Sequence, residues 1–191
     1  KSAFVVGSFQ KDGDGWGKGN KPKLIKGPDI FIKTLRILKK SIPEIFVLIS
    51  GPSRGYVVRN LNKLKIPFKY LNFSNYDDLI KVYKCLDVYL LCSREEGGPR
   101  AIMESFASKT PLVTTNVGQA IDMIKNNHNA FKSEEINEEI LANLIYSKVY
   151  IKDDKLEEII KNAYITAKNN SYDSQINLWK NFFDFKKERI K

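Results

Sequence analysis

Five short apolar runs punctuate the chain up to residue 115, at 3–7 (AFVVG), 44–50 (EIFVLIS), 68–73 (FKYLNF), 87–93 (DVYLLCS) and 111–115 (PLVTT). Each is rich in Val, Ile, Leu, Phe or Tyr and is bounded by turn residues, which predicts buried β-strands. Helical spacing fills the intervals at 28–41, 55–65, 75–86, 99–108 and 118–126. Pro28 and Pro99 each follow a glycine and mark helix starts. Regular strand-helix alternation with short connections predicts an α/β fold, a doubly wound, Rossmann-like parallel sheet covered on both faces. A very short strand near 130–132 brings the sheet to about six strands. Beyond it the pattern is helical only, at 136–149, 153–169 and 173–187. Residues 1–170 thus read as one Rossmann-like domain and 171–191 as a C-terminal amphipathic helix with Trp179, Phe182 and Phe183 on or near one face. That helix is expected to pack back on its own sheet, docking on a partner domain being the alternative.

The 191 residues, 42% of them hydrophobic, suit a single soluble domain. No apolar run has the roughly 18–20 residues of a membrane span. Two cysteines, Cys85 and Cys92, make no disulfide framework, so a reducing, cytoplasmic setting is expected. The formal charge of +10 raises the question of nucleic acid. The excess is diffuse, however, with lysines alternating with acids along most helices. The densest basic runs are 18–26 and 186–191; the second is expected to be a solvated tail, with contact to anionic lipid at the inner membrane surface left open.

In a doubly wound sheet the ligand lies beyond the carboxyl ends of the strands. The loop after 87–93 reads S-R-E-E-G-G-P-R and leads into a helix. Gly97 and Gly98 allow close backbone approach, and the amides of Arg100, Ala101 and Ile102 face outward, an arrangement suited to a phosphate. Glu96 precedes the helix and Glu104 lies about a turn and a half inside it; two acids beside an anion site can accept hydrogen bonds from hydroxyls. The alternative makes Glu96 a partner of the helix dipole and Glu104 a surface charge. The loop after the first strand, QKDGDGWGKGNKPKLIKG, matches neither a calcium loop, nor Walker A, nor a dinucleotide fingerprint. Its alternating glycines predict a flexible loop, and Lys26 at its end could meet a phosphate. His128, in KNNHNAF, reads as a surface loop residue.

Taken together, VGSF (6–9), PKLIKGPDIF (22–31), ISGPSRGYV (49–57), YKCLDVYLLCSREEGGPRAIMESFAS (83–108) and TPLVTTNVGQAIDMI (110–124) resemble the C-terminal, nucleotide-sugar-binding domain of family 4 retaining glycosyltransferases of the GT-B fold. The signature is Glu-x7-Glu, here Glu96 and Glu104. The resemblance implies that Glu104 binds the ribose hydroxyls and that Glu96 faces the donor sugar near the reacting carbon. It implies that Lys26 and the amides after Gly97 hold the diphosphate of a UDP-, GDP- or ADP-sugar, without an obligatory metal. The base is expected near Leu71 to Ser74 and Ser93. Ser8 stands where the family commonly has a basic residue, and Arg54 is expected to supply that charge. Lys109, Gln119, Asp122 and Ala130 also depart from the pattern. The acceptor-binding N-terminal domain of such enzymes is not within the chain. The expectation is the donor-binding part of a hexosyl-type transferase that retains anomeric configuration; the alternative is a noncatalytic phosphate- or nucleic-acid-binding module using the basic surface.

Overall fold

The computed structural model describes residues 3–73 and 75–189, with side chains up to residue 184. Ser74, expected near the base, and the side chains of the tail lysines lie outside the described residues. Six parallel strands form one sheet: β1 (Phe4–Phe9), β2 (Ile45–Ser50), β3 (Phe68–Leu71), β4 (Val88–Leu91), β5 (Leu112–Thr115) and β6 (Phe131–Ser133), in the order β3-β2-β1-β4-β5-β6. The order reverses at β1, so the crevice between the carboxyl ends of β1 and β4 is the topological switch point.

Strand residues alternate between two apolar layers. Val6, Val47, Ile49, Val88, Leu90 and Val113 point to one face, packed by α1 (Pro28–Ser41), α2 (Gly55–Lys63) and α6 (Glu138–Leu144). Tyr89, Leu91 and Leu112 point to the other, packed by α3 (Tyr76–Tyr83), α4 (Arg100–Ala107), α5 (Gln119–Met123) and α7 (Leu156–Asn169). The α/β sandwich of the sequence reading is therefore the fold.

Differences arise at element ends. Helix α5 stops at Met123, well short of the anticipated 126, because the buried Asn129 side chain accepts from Lys125 N and donates to Met123 O. The anticipated helix 136–149 switches after Leu144 to a π-helical turn, Ile145–Tyr150. Pro99 is the N-cap of α4 rather than its first residue. The last helix, α8 (Tyr172–Arg189), contacts α7 but leaves the aromatic side chains described in it exposed: Trp179 is 58% exposed, and Tyr172, Phe182 and Phe183 are also exposed. The expectation that it packs back on the sheet is not met among the described residues, where its main contact is with α7, which itself lies on α4.

Candidate functional site

Two loops meet at the switch point. The first carries a 3-10 turn, Leu24–Lys26, ended by Gly27 in the left-handed region, which caps α1 with Pro28 at its first turn. A Cβ on Gly27 would stand 1.8 Å from Cys92 O, so glycine alone lets this turn lie on the end of β4. The second loop, after β4, carries Glu96. Arg94 binds the two together: its guanidinium forks onto Asp29 at 2.8 and 2.7 Å and donates to Leu24 O at 2.7 Å, while its amide donates to Ile25 O at 2.8 Å. Burial opposes the Asp29 charge, yet the Arg94 bond holds its carboxyl below the usual range. With the loops fixed, Lys26 Nζ meets Glu96 Oε2 at 2.6 Å. Ser93 Oγ donates to Glu96 Oε1 at 2.6 Å, and Thr115 Oγ1 donates to Ser93 O, also at 2.6 Å. From the other side Gly118, at φ 54°, lies under the loop so closely that a Cβ would be 2.3 Å from Glu96 O, and Gln119 N donates to Gly97 O at 2.8 Å. Only 8% of the Glu96 side chain is exposed, against 26% of Lys26.

At the mouth of α4 the backbone is open. A Cβ on Gly97 would meet nothing within 4 Å, and one on Gly98 would meet only Gln119 Oε1 at 3.8 Å. Packing within the fold therefore does not demand glycine here; what its absence of a side chain keeps clear is the approach to the first amides of the helix, at Arg100 and Ala101. Ile102 N is already engaged, donating to Pro99 O at 3.1 Å. Arg100 is exposed at this edge and Ala101 is buried beneath it.

Glu104, one turn deeper, is half-buried between α4 and α3 and receives a phenol on each oxygen. Tyr83 donates to Oε2 at 2.8 Å and Tyr76 to Oε1 at 2.5 Å. Tyr83 is fully buried, stacked on Tyr89 with ring centroids 5.2 Å apart and edge-on to Phe9 at 5.0 Å. Tyr76 is 52% exposed. Burial pushes both phenols up, aided next by Glu104 for Tyr76, to about 12, and by Tyr89 and then Glu104 for Tyr83, so both remain protonated donors at any ordinary pH.

Ser8 and Arg54 come together in the floor, not at the lip. Arg54 is wholly buried: Nη1 donates to Ser8 O, Gln10 O and Ser50 O at 2.9, 2.8 and 3.0 Å, Nη2 donates to Ser8 Oγ at 3.2 Å, and Nε lies 3.1 Å from Asp12 Oδ1. The guanidinium expected to face a phosphate turns inward because the carbonyls closing β1 and β2 and the buried Asp12 surround it. The glycine-rich loop above it is pinned rather than free: Ser53 Oγ donates to Gly17 O at 2.9 Å, Gly55 N to Lys18 O at 2.7 Å, Tyr56 N to Gly19 O at 2.8 Å, and Gly13 bridges Pro22. His128 lies in an exposed turn against Asn162. Among the described residues no group of His, Cys, Asp and Glu could hold a metal ion, and no helix is long and apolar enough to cross a membrane.

The structure thus gathers Lys26, Glu96, Gly97, Gly98, Arg100 and Ala101 around one crevice, with Glu104 beside it and Ser8 and Arg54 below. Sequence reasoning missed Asp12, Asp29, Tyr76, Tyr83 and Arg94, whose partners are distant in the chain.

A sheet of this order with this crevice is the GT-B C-terminal type. A glycosyltransferase from Rickettsia africae superposes on 98% of the chain with a TM-score of 0.73 at 25% identity, the match taking up 48% of that protein. HepE of Anabaena, solved in complex with UDP, superposes on 88% with a TM-score of 0.71 at 23% identity, over 44% of its length. An uncharacterized glycosyltransferase of Methanocaldococcus jannaschii is 31% identical over 107 residues, 54% of this chain and 27% of that one. The family model for glycosyl transferases group 1 matches residues 22–166, and the chain belongs to that family. It spans less than half the length of each of these relatives.

Proposed function

We propose that this chain is the donor-binding part of a family 4 transferase that moves a hexosyl group from a nucleoside diphosphate sugar to an acceptor hydroxyl with retention of configuration. The observation that carries the reading is the Lys26–Glu96 contact at the switch point, with open α4 amides on one side and Glu104 on the other. A diphosphate sugar needs a cation and amides for its phosphates and carboxylates for its hydroxyls. Lys26 and the amides of Arg100 and Ala101, reached past Gly97 and Gly98, take the diphosphate; Glu104 takes the ribose; Glu96 faces the sugar. As the bond from the anomeric carbon to the phosphate oxygen breaks, negative charge grows on the leaving diphosphate, where Lys26 and the helix mouth oppose it. Positive charge develops on the sugar, where Glu96 opposes it. The acceptor oxygen then bonds to that carbon on the face the phosphate leaves, and its proton passes to the departing phosphate oxygen.

Arg54 and Ser8 act from beneath, holding the strand ends and the loop above them. The group 1 family membership supports transferase chemistry, and the UDP held by HepE makes a uridine nucleotide the first probe. The greater length of the relatives supports an acceptor-side N-terminal half that completes the cleft. The reaction is assigned to the cytoplasm, at or near the inner membrane face, with no metal cofactor. No comparison supports the nucleic-acid alternative.

The test is calorimetric titration with UDP, GDP and ADP. One nucleotide binds saturably, and Glu104→Ala weakens it about tenfold or more, the loss of hydrogen bonds to a charged acceptor. Binding indifferent to Glu104 and abolished by salt would place the site on the basic surface instead.

A further inference from the structure

Glu104 is not simply presented to solvent: both of its oxygens are already hydrogen-bonded, by two tyrosines in very different settings. Tyr83 approaches from the interior, held by stacking on Tyr89, by Phe9, and by Thr110 Oγ1 donating to its carbonyl at 2.8 Å. Tyr76 approaches from the outer side, from the first turn of α3, whose start is set by Asn75 Oδ1 accepting from Asp78 N at 2.9 Å. A hydroxyl that is half in water can leave the carboxylate and be rehydrated; one that is fully buried cannot leave without an unsatisfied donor.

Resting on the donor-site reading above, we infer that Tyr83 is a positioning residue for Glu104 and that Tyr76 is an exchangeable occupant of the ribose subsite. Tyr83 fixes the plane of the carboxylate by holding Oε2 from below. Tyr76 satisfies Oε1 in the free protein, and the vicinal hydroxyls of the nucleoside displace it on binding. The ligand class is therefore one that offers two adjacent hydroxyl donors from the solvent side. A single hydroxyl could share Oε1 with Tyr76, whereas a pair spanning both oxygens needs the outer approach free. The exposed phenol thus sets a cost on ribonucleoside binding, because only the vicinal pair must displace it, and a nucleoside without that pair leaves Tyr76 in place.

Tyr76→Phe and Tyr83→Phe separate the two roles, each titrated with UDP, GDP and ADP and with their 2′,3′-dideoxy counterparts. For the nucleotide that wild type binds tightest, Tyr76→Phe tightens the ribo form about three- to tenfold and leaves the dideoxy form unchanged, since a competitor for a charged acceptor is gone. Tyr83→Phe weakens the ribo form by a similar factor and again leaves the dideoxy form unchanged, a dependence on the ribose that a merely structural change would not give. Equal or weaker ribo binding by Tyr76→Phe overturns its role as occupant, and parallel losses for both ligand forms in Tyr83→Phe overturn its role in positioning. A wild type that binds nucleotide but does not distinguish ribo from dideoxy removes Glu104 from the ribose, and both tyrosine roles with it. No binding of any of the three nucleotides overturns the donor-site reading itself.

Discussion

Arg54 and Asp12 illustrate how a single side chain can be assigned to the wrong surface when its partners are unknown. Burial works against the charge on both: it lowers Arg54 from its ordinary value and, despite Arg54, raises Asp12 from 3.8 to about 6. A pair so placed is costly to desolvate and is a weak source of stability. The folded state holds the Asp12 proton more tightly than the unfolded chain does, so the contribution of Asp12 is most favourable below pH 4 and declines as pH rises through about 6. Across that window wild type loses about 2–3 kcal/mol relative to Asp12→Asn. Urea unfolding of both proteins from pH 4 to pH 7.5 checks this: the difference between the two curves falls with rising pH, and a flat difference would contradict it. Arg54→Met, which strips three strand-end carbonyls of their donor, costs about 3–5 kcal/mol at pH 7 in the same assay. The sequence made Glu96, Glu104 and Lys26 legible because acids and a lysine around a glycine-proline helix start have few structural reasons to be there. Tyr83 and Tyr76 were illegible as functional residues, since tyrosines at helical spacing read as core until α3 is seen to lie beside α4.

At the scale of elements, alternating strand and helix periods carried most of the fold, because each apolar run had to be buried on both sides and only a covered parallel sheet does that. What the periods could not carry was the contact between loops. The turn Leu24–Lys26 sits on β4 through Gly27, and the glycine loop is locked by Ser53, Gly55 and Tyr56; both depend on backbone atoms meeting across the sheet. Glycines at every second position looked like a licence for motion. They permit a chain to be pressed onto its neighbour instead. Gly27→Ala tests the point, since it places a Cβ against the Cys92 carbonyl and a left-handed φ on a residue with a side chain. The expected cost is about 3 kcal/mol by urea unfolding, with Lys26 withdrawn from Glu96 and nucleotide affinity falling in parallel. A variant of unchanged stability would mean that the turn has another seat on β4.

For the molecule as a whole the unanswered face is α8. Tyr172, Ile176, Trp179 and Phe183 recur at intervals of four, three and four, the spacing of a helix seam, and all four are exposed. Trp179 and Phe183 stack at 6.1 Å and Phe182 meets them edge-on, so the rings shelter one another in part while the seam has no cover among the described residues. The relatives are longer chains, and under the proposed function the prediction is that an acceptor-side half covers this seam. Trp179 reports on it directly once the only other tryptophan, the exposed Trp16, is replaced by Phe. In the isolated Trp16→Phe chain Trp179 emits as a hydrated indole and is quenched freely by iodide; supplied with an N-terminal half it shifts to the blue and is shielded. Burying the seam removes several apolar side chains from water at up to about 1.5–3 kcal/mol each, a gain that drives association of the two halves against its entropic cost. If anionic vesicles shield Trp179 while the N-terminal half does not, the seam faces a membrane, and α8 anchors the domain instead of joining its halves.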